Sequence, residues 1–454
     1  LAIARCCGGM ACYPGIGHCC TLLLVSILPF SIQYSTHVSQ FPTLVHSRPA
    51  HYMLRQSPMR HPEKEAMTSC IVGWAHTPFG KHEDEDAESL IGQVATQAVA
   101  DAGLAPDDID EIVLGTFGEG FSAQGFPASL VLQTSSAFRF KPATRVENAC
   151  ATGSAAIHQG LKTIAARQGR FVLVVGVEKM TGLPGAEVGA NLLKASYVKE
   201  EGSIEGGFAG VFGQIAAQYF QRHGDQSDAL AAIAAKNHKN GALNPLAQMR
   251  KDLGVEFCRT PSEKNPYVAG PLKRTDCSLV SDGAAALVLT DVETALSMDK
   301  AVAFRSAVQV NDYLPLSKRD ILRFDGCEIA WKKALSHANL GLEDLSFVET
   351  HDCFTIAELI EYEAMGLTER GQGARAILEG WTQKDGRLPV NPSGGLKSKG
   401  HPIGATGVSM HVMASMQLTG AAADMQLEKP KLAGIFNMGG AAVANYVSIL
   451  EPLR

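Results

Sequence analysis

The chain has 454 residues, 46% hydrophobic and 19% charged, enough for a large buried core and, at roughly 100–200 residues per domain, for two or three domain-sized units. A net charge of −6 leaves no basic excess to neutralise nucleic-acid phosphates, and no polybasic stripe marks a membrane surface. Eleven cysteines without any CxxC pair argue against a structural zinc site and for reduced thiols in a reducing compartment.

Residues 1–66 do not match the rest. They carry no acidic residue before Glu63, hold Arg5, Arg48, Arg55 and Arg60, and contain five clustered cysteines. Their apolar run, 21–30, is shorter than the roughly 20 residues a membrane span needs. An organelle presequence, a secretory-like leader and upstream sequence joined by a misplaced start are the three readings. The last is favoured, because Met67 opens directly into a strand-like stretch at 69–74. The segment is expected to lie outside the fold, and the protein to be cytoplasmic.

From Met67 onward strands and helices alternate. Helical spacing of Leu90, Ile91, Val94 and Ala98 predicts a helix over 88–103, followed by a strand at 111–114. Asn148-Ala-Cys-Ala-Thr-Gly opens a helix rich in small residues, 154–168, and the unbroken apolar run 171–177 reads as a strand buried on both faces. Such βαβ alternation predicts a mostly parallel sheet between helix layers. Residues from about 180 to 273 are polar and rich in Gly and Asn, with short helical stretches at 213–222 and 228–239. They read as a long insertion over the sheet.

A weak internal repeat follows. Residues 102–112 and 338–348 align without gaps as helix end, turn and strand, and Ala-Thr-Gly recurs at 151–153 and 405–407, each time opening a helix of small residues. Two copies of one βα unit are expected to pack together, with the chemistry where strand ends and helix starts converge.

Four places carry reactive residue types. Cys150 stands at a strand-to-helix turn, where free N–H groups and the helix dipole would favour the thiolate; a buried, inert cysteine is the alternative. The run Asn391-Pro-Ser-Gly-Gly-Leu-Lys-Ser-Lys-Gly-His-Pro-Ile-Gly-Ala-Thr-Gly holds His401 in a loop whose glycines let backbone approach a ligand; its imidazole could take a proton from Cys150. His351 and Cys353, two apart after the strand end at 347–348, would point the same way if still extended, with metal binding as a second role. Phe436-Asn-Met-Gly-Gly is a glycine turn whose N–H groups could hold an oxyanion, or a plain tight turn.

Together, Asn-Ala-Cys-Ala-Thr-Gly at 148–153, His-Asp-Cys-Phe at 351–354, Gly-His-Pro at 400–402 and Asn-Met-Gly-Gly at 437–440 make the chain from about Ser69 onward resemble the thiolases, in particular their sterol-carrier-protein-2 branch and the related bacterial acetyl-CoA acetyltransferase-like proteins. The resemblance implies an α/β fold of two repeated βαβαβαββ halves, arranged in five layers α-β-α-β-α. The first half would span 67–295, including a loop domain at about 180–273 that holds coenzyme A, and the second 296–454. It implies reversible thiolysis of 3-ketoacyl-CoA, or Claisen condensation of acyl-CoA with acetyl-CoA, through an acyl-enzyme on Cys150. His401 would activate Cys150 and, with His351, line one oxyanion site; the N–H groups of Cys150 and Gly439 would form the other. Ser278 matches a serine that contacts the pantetheine of CoA. Asn437 stands where most thiolases carry their acid/base cysteine, a role that passes to Cys353 in the sterol-carrier branch. The loop after Lys179 lacks the histidine of many acetoacetyl-CoA thiolases, and the chain end at Arg454 leaves no fused sterol-carrier domain expected. No metal or tightly bound cofactor is expected. Acyl-CoA is expected as substrate, a homodimer or homotetramer as assembly, and neither nucleic acid nor a membrane span as partner. A ketoacyl synthase and a non-catalytic acyl-CoA- or lipid-binding protein on the same scaffold are the alternatives. A nicotinamide enzyme is disfavoured, since no GxGxxG follows a strand and opens a helix.

Overall fold

The computed structural model describes residues 69–453; the expectations for residues 1–66 lie outside them. Strands β1 (Ser69–His76), β2 (Glu111–Gly115), β3 (Ala143–Val146) and β4 (Val172–Glu178) come first. The hairpin β5 (Tyr267–Ala269) and β6 (Leu272–Lys273) precedes β7 (Gly283–Asp291) and β8 (Val302–Asn311), and β9 (Phe347–Glu349), β10 (Ala433–Gly439) and β11 (Ala444–Pro452) complete the set. Nine of these strands form one sheet in the order β3-β2-β4-β7-β1-β8-β11-β10-β9.

The internal repeat is written into that order. Counted within its own half, the first set of strands runs three-two-four-five-one, and the second runs two-four-five-one. The missing third place is taken by Val390, which makes a single parallel bridge to Val348. In both aligned segments a short 3₁₀ turn leads into the second strand, and an aspartate accepts the amide three residues before it: Asp108 from Ala105 and Asp344 from Gly341, each at 2.8 Å. The two halves meet in a short antiparallel stretch, Cys70 opposite Ala303 and Ile71 opposite Val302.

The expectation of a mostly parallel sheet needs correcting. Three of the eight neighbouring pairs are parallel (β2 with β3, β2 with β4, β9 with β10) and five are antiparallel. In each half the fifth strand enters next to the fourth in the opposite sense, after a long excursion in the first half and a tight turn in the second. Periodicity reports which faces of a strand are buried but not which way it runs.

Helix Ala87–Asp101 covers the outer face of the first half, packing on β1, β4 and β7, and helix Asp325–Ala338 covers β8 and β11 of the second. Between the halves lie helices Thr152–Ala165 and Ile403–Leu418, packed on each other. Every residue of Ile403–Leu418 except Met416 is buried, as a helix enclosed on all sides must be. This gives five layers, α-β-α-β-α. Small residues make the central crossing possible: a Cβ on Gly153 would meet the Val408 amide nitrogen at 2.6 Å, and one on Gly407 the Ser154 nitrogen at 2.2 Å. The 180–273 stretch lies between β4 and β7 and holds helices Gly185–Leu193, Gly207–His223 and Ser227–Ala242 with the β5–β6 hairpin. Among the described residues no helix is long and apolar enough to cross a membrane.

Candidate functional site

The two central helices begin at one end of the sheet, and their entry turns carry the reactive side chains. Before the first helix the chain turns sharply at Ala149, whose φ of 50° lies in the left-handed region that costs a non-glycine residue about 1–3 kcal/mol. The turn is held by its own polar groups. Thr152 Oγ1 accepts the Asn148 amide at 2.8 Å and donates to the Ala149 carbonyl at 2.6 Å, while Asn148 Nδ2 donates to Tyr446 Oη at 2.8 Å. At its apex Cys150 is only 4% exposed. It lines a cavity of about 320 Å³ together with Cys353, His401, Ser278 and the apolar side chains of Met180 and Phe208. Much of the cavity wall comes from the 180–273 stretch.

His351 and His401 meet edge to face, with ring centroids 5.1 Å apart, and the donor atoms of Cys150, His351 and His401 all lie within 4.8 Å of one another. The hydrogen bonds behind the rings assign their protons. Asn437 Oδ1 accepts from Ser154 Oγ at 2.8 Å, so its amide nitrogen faces Cys150 O at 3.2 Å and His351 Nδ1 at 2.9 Å. His351 Nδ1 is therefore an acceptor, and the ring proton sits on Nε2. For His401, Nδ1 lies 2.6 Å from Thr406 Oγ1, whose hydroxyl is also 3.0 Å from the Pro402 carbonyl. Both contacts are satisfied together only when Thr406 donates to Pro402 and accepts from His401 Nδ1–H. His401 Nε2 is then a free lone pair. Among the described residues neither Nε2 atom has a partner though both are buried, as groups awaiting a reacting atom would be.

Three ligand atoms so close could hold a metal ion, yet the proton on His351 Nε2 removes one of the three lone pairs. The arrangement suits proton transfer instead: one nitrogen to take a proton, one to donate a hydrogen bond. Burial keeps both rings neutral. It depresses His401 to about 3, aided by the Lys399 charge, and holds His351 well below the usual imidazole range.

The expectation of a resting thiolate at Cys150 is reversed. Burial pushes the thiol up to about 12; the amides of Gly440 and of Cys150 itself oppose that shift, and the Glu178 carboxylate adds to it. Gly440, one of the two amides that favour the charged sulfur, is one residue beyond Gly439. Gly439 ends β10 with its Cα against the Asn148 carbonyl, where a Cβ would come within 2.4 Å of the oxygen. Burial and the nearby Cys150 raise Cys353 well above the ordinary thiol range, so it too rests protonated. Ser278 lines the cavity and donates its amide to the Cys353 carbonyl at 2.9 Å, holding that cysteine at the wall.

Several supporting residues escaped the sequence reading. Thr406, Ser154 and Gly440 sit inside the recognised motifs, but their roles depend on hydrogen bonds across the two halves. Asp352, between His351 and Cys353, accepts the Leu396 and Lys397 amides at 2.6 and 3.1 Å and so fixes the start of the glycine-rich loop. Burial and the negative Glu358 raise its carboxyl. The available signal for Glu178 was a lone carboxylate ending an otherwise apolar strand.

Comparisons with known proteins give the family. Residues 69–259 match the family description "Thiolase, N-terminal domain", and residues 308–452 match "Thiolase C-terminal domain-like". The acetyl-CoA acetyltransferase of Methanothermobacter thermautotrophicus is 33% identical over 84% of this chain and 98% of its own length. Sterol carrier protein 2 of Bos taurus is 30% identical over 86% of this chain and 72% of its own. Among solved structures, one titled "Ltp2-ChsH2(DUF35) aldolase" superposes with a TM-score of 0.73 at 21% identity, covering 85% of this chain and 98% of that one, a likeness of fold. The chain belongs to the thiolase superfamily, as an acyltransferase of the sterol-carrier-protein-2 type.

Proposed function

We propose that the protein is an acyl-CoA C-acyltransferase that cleaves 3-ketoacyl-CoA with free coenzyme A, or runs the same steps backward as a Claisen condensation. The observation that carries this reading is the opposite protonation of two facing histidines beside one thiol. His401 Nε2 takes the proton of Cys150 as its sulfur attacks the keto carbon. The oxygen that becomes negative is met by the amides of Cys150 and Gly439, with Gly440 next in the same turn. When the carbon–carbon bond breaks, acetyl-CoA leaves as an enolate. Its oxygen is held by His351 Nε2–H and by His401 Nε2, which has become a donor by taking the thiol proton. Cys353, protonated at rest, delivers its proton to the enolate carbon. The Cys353 thiolate then accepts the proton of an incoming CoA thiol, which attacks the thioester on Cys150. Collapse expels the Cys150 sulfur, and His401 returns its proton.

Coenzyme A and acyl-CoA act here as substrates, with Ser278 and the 180–273 stretch beside the pantetheine arm. We read 67–295 and 296–454 as the two halves of the repeat, and the cytoplasm as the compartment. The test is turnover of a panel of 3-ketoacyl-CoA esters with free CoA. Formation of acetyl-CoA and the shortened acyl-CoA supports the assignment. Tight CoA binding without cleavage, or a requirement for acyl carrier protein, contradicts it.

A further inference from the structure

One buried carboxylate near Cys150 has no part in the steps above. Glu178, the last residue of β4, is 2% exposed, and its two oxygens accept four hydrogen bonds. Three come from the segment just after β2: Thr116 Oγ1 at 3.0 Å, the Phe117 amide at 2.8 Å and the Gly118 amide at 3.1 Å. The fourth is the Gly404 amide at 3.0 Å, in the first turn of helix Ile403–Leu418 and three residues after His401. Gly404 is pressed so closely here that a Cβ would lie 2.3 Å from the Val177 carbonyl and 2.8 Å from Glu178 Oε2. Glu178 thus ties the strand ends of the first half to the segment that brings His401 from the second.

The ionisable groups around Glu178 leave it without a cation. Arg145 of β3 is directed to the carbonyls of Thr116 and Phe117 and toward Glu119. Lys179, next in the chain, pairs with Asp282. On the sides facing the site are the Cys150 thiol and the neutral His401. Among the described residues Glu178 forms no ion pair, and its charge is balanced by hydrogen bonds alone.

We propose that Glu178 is a positioning residue: its carboxylate, acting through the Gly404 amide, holds His401 Nε2 toward the Cys150 sulfur, and protonation of that carboxylate loosens the pair. This rests on His401 being the base for Cys150. The chemistry follows from the charge. Four N–H and O–H groups converge on two oxygens, and protonation removes the charge that strengthens every one of those bonds, the Gly404 amide's among them, while the Thr116 hydroxyl must turn round to accept or be given up. Burial raises Glu178 to about 7, which puts the change inside the neutral range, whereas the catalytic imidazoles and thiols titrate far from it. Activity should therefore fall as pH drops through that region.

Single-turnover acylation of Cys150 by a 3-ketoacyl-CoA, followed from pH 5.5 to 9, tests the proposal. Glu178→Gln keeps the shape but puts a donor where only donors arrive. At the top of the pH range it should acylate about 10–100-fold more slowly, the scale of a small misplacement of reacting groups, with KM nearly unchanged. Thr116→Val removes one bond that favours the charged form, so the acid limb should move to higher pH while Cys150 and His401 stay untouched. A folded Glu178→Gln enzyme with the wild-type rate, or a Thr116→Val enzyme whose limb does not move, overturns the proposal. Thr116→Val decides the matter should Glu178→Gln fail to fold. Absence of acyl-Cys150 in the wild type at every pH would overturn the thiolase reading as well.

Discussion

Asn437 donates its side-chain N–H to His351 Nδ1 at 2.9 Å, and that one bond places the imidazole proton on the side facing Cys150. An amide with its oxygen fixed by Ser154 can donate but not accept at that position. The tautomer of His351 is thus set by a strand of its own half, whose asparagine is oriented in turn by Ser154 on the central helix of the other half.

Replacing Asn437 with Asp should therefore invert the ring. A carboxylate accepts from Nδ1–H, which leaves a lone pair on Nε2 and removes a hydrogen-bond donor from the enolate oxygen. Loss of one such donor costs on the order of 10²–10³ in rate. Asn437→Asp should show a fall in kcat of that size with little change in KM, measured by steady-state thiolysis.

Cys353→Ala should separate the two halves of the reaction. The variant still carries Cys150 and His401 and should form a thioester with an acyl-CoA donor. It should fail in carbon–carbon cleavage and in condensation, for want of a group to move the α-proton. Full thiolysis by Cys353→Ala would show that another group moves that proton.

The resting state of Cys150 is checked by alkylation. With the thiol near 12, the thiolate fraction rises about tenfold per pH unit throughout the neutral and mildly alkaline range. The rate of iodoacetamide labelling at Cys150 should climb with pH from 7 to 9 without a plateau. A flat profile over that range would indicate a preformed thiolate–imidazolium pair.

Gly407→Ala should weaken the whole fold, because the added Cβ would sit 2.2 Å from the Ser154 nitrogen in the central helix crossing. Overpacking of this kind costs typically 1–3 kcal/mol. Denaturant unfolding should show a lowered midpoint with an unchanged slope.

How far the sequence could be read follows from where each signal lies. Strand β4 was legible because an unbroken apolar run means burial on both faces, and the repeat, with the start of helix Ile403–Leu418, was legible in the paired Ala-Thr-Gly turns. Cys150, His351, Cys353 and His401 were legible as residue types in four motifs, and the fold brings all four to one cavity wall or its immediate backing. Strand direction was not legible, since neither apolar pattern nor turn composition encodes it when long excursions separate neighbours. Nor was the ionisation of Cys150. The turn before helix Thr152–Ala165 argued for a thiolate, but desolvation, created only when the 180–273 stretch and the second half close over the sulfur, outweighs the helix terminus. Glu178 and Asn437 act through partners 60 to 226 and 86 to 287 positions away in the chain, a distance no local pattern spans.

The central claim is that acyl groups pass through a single sulfur. Its most direct test is mass spectrometry of the protein after incubation with a 3-ketoacyl-CoA and no free CoA, with the adduct mapped to a peptide. The account predicts one acyl group per chain on Cys150, absent from Cys150→Ala and discharged when CoA is added. An adduct on another residue, or cleavage of the substrate by Cys150→Ala, would contradict it.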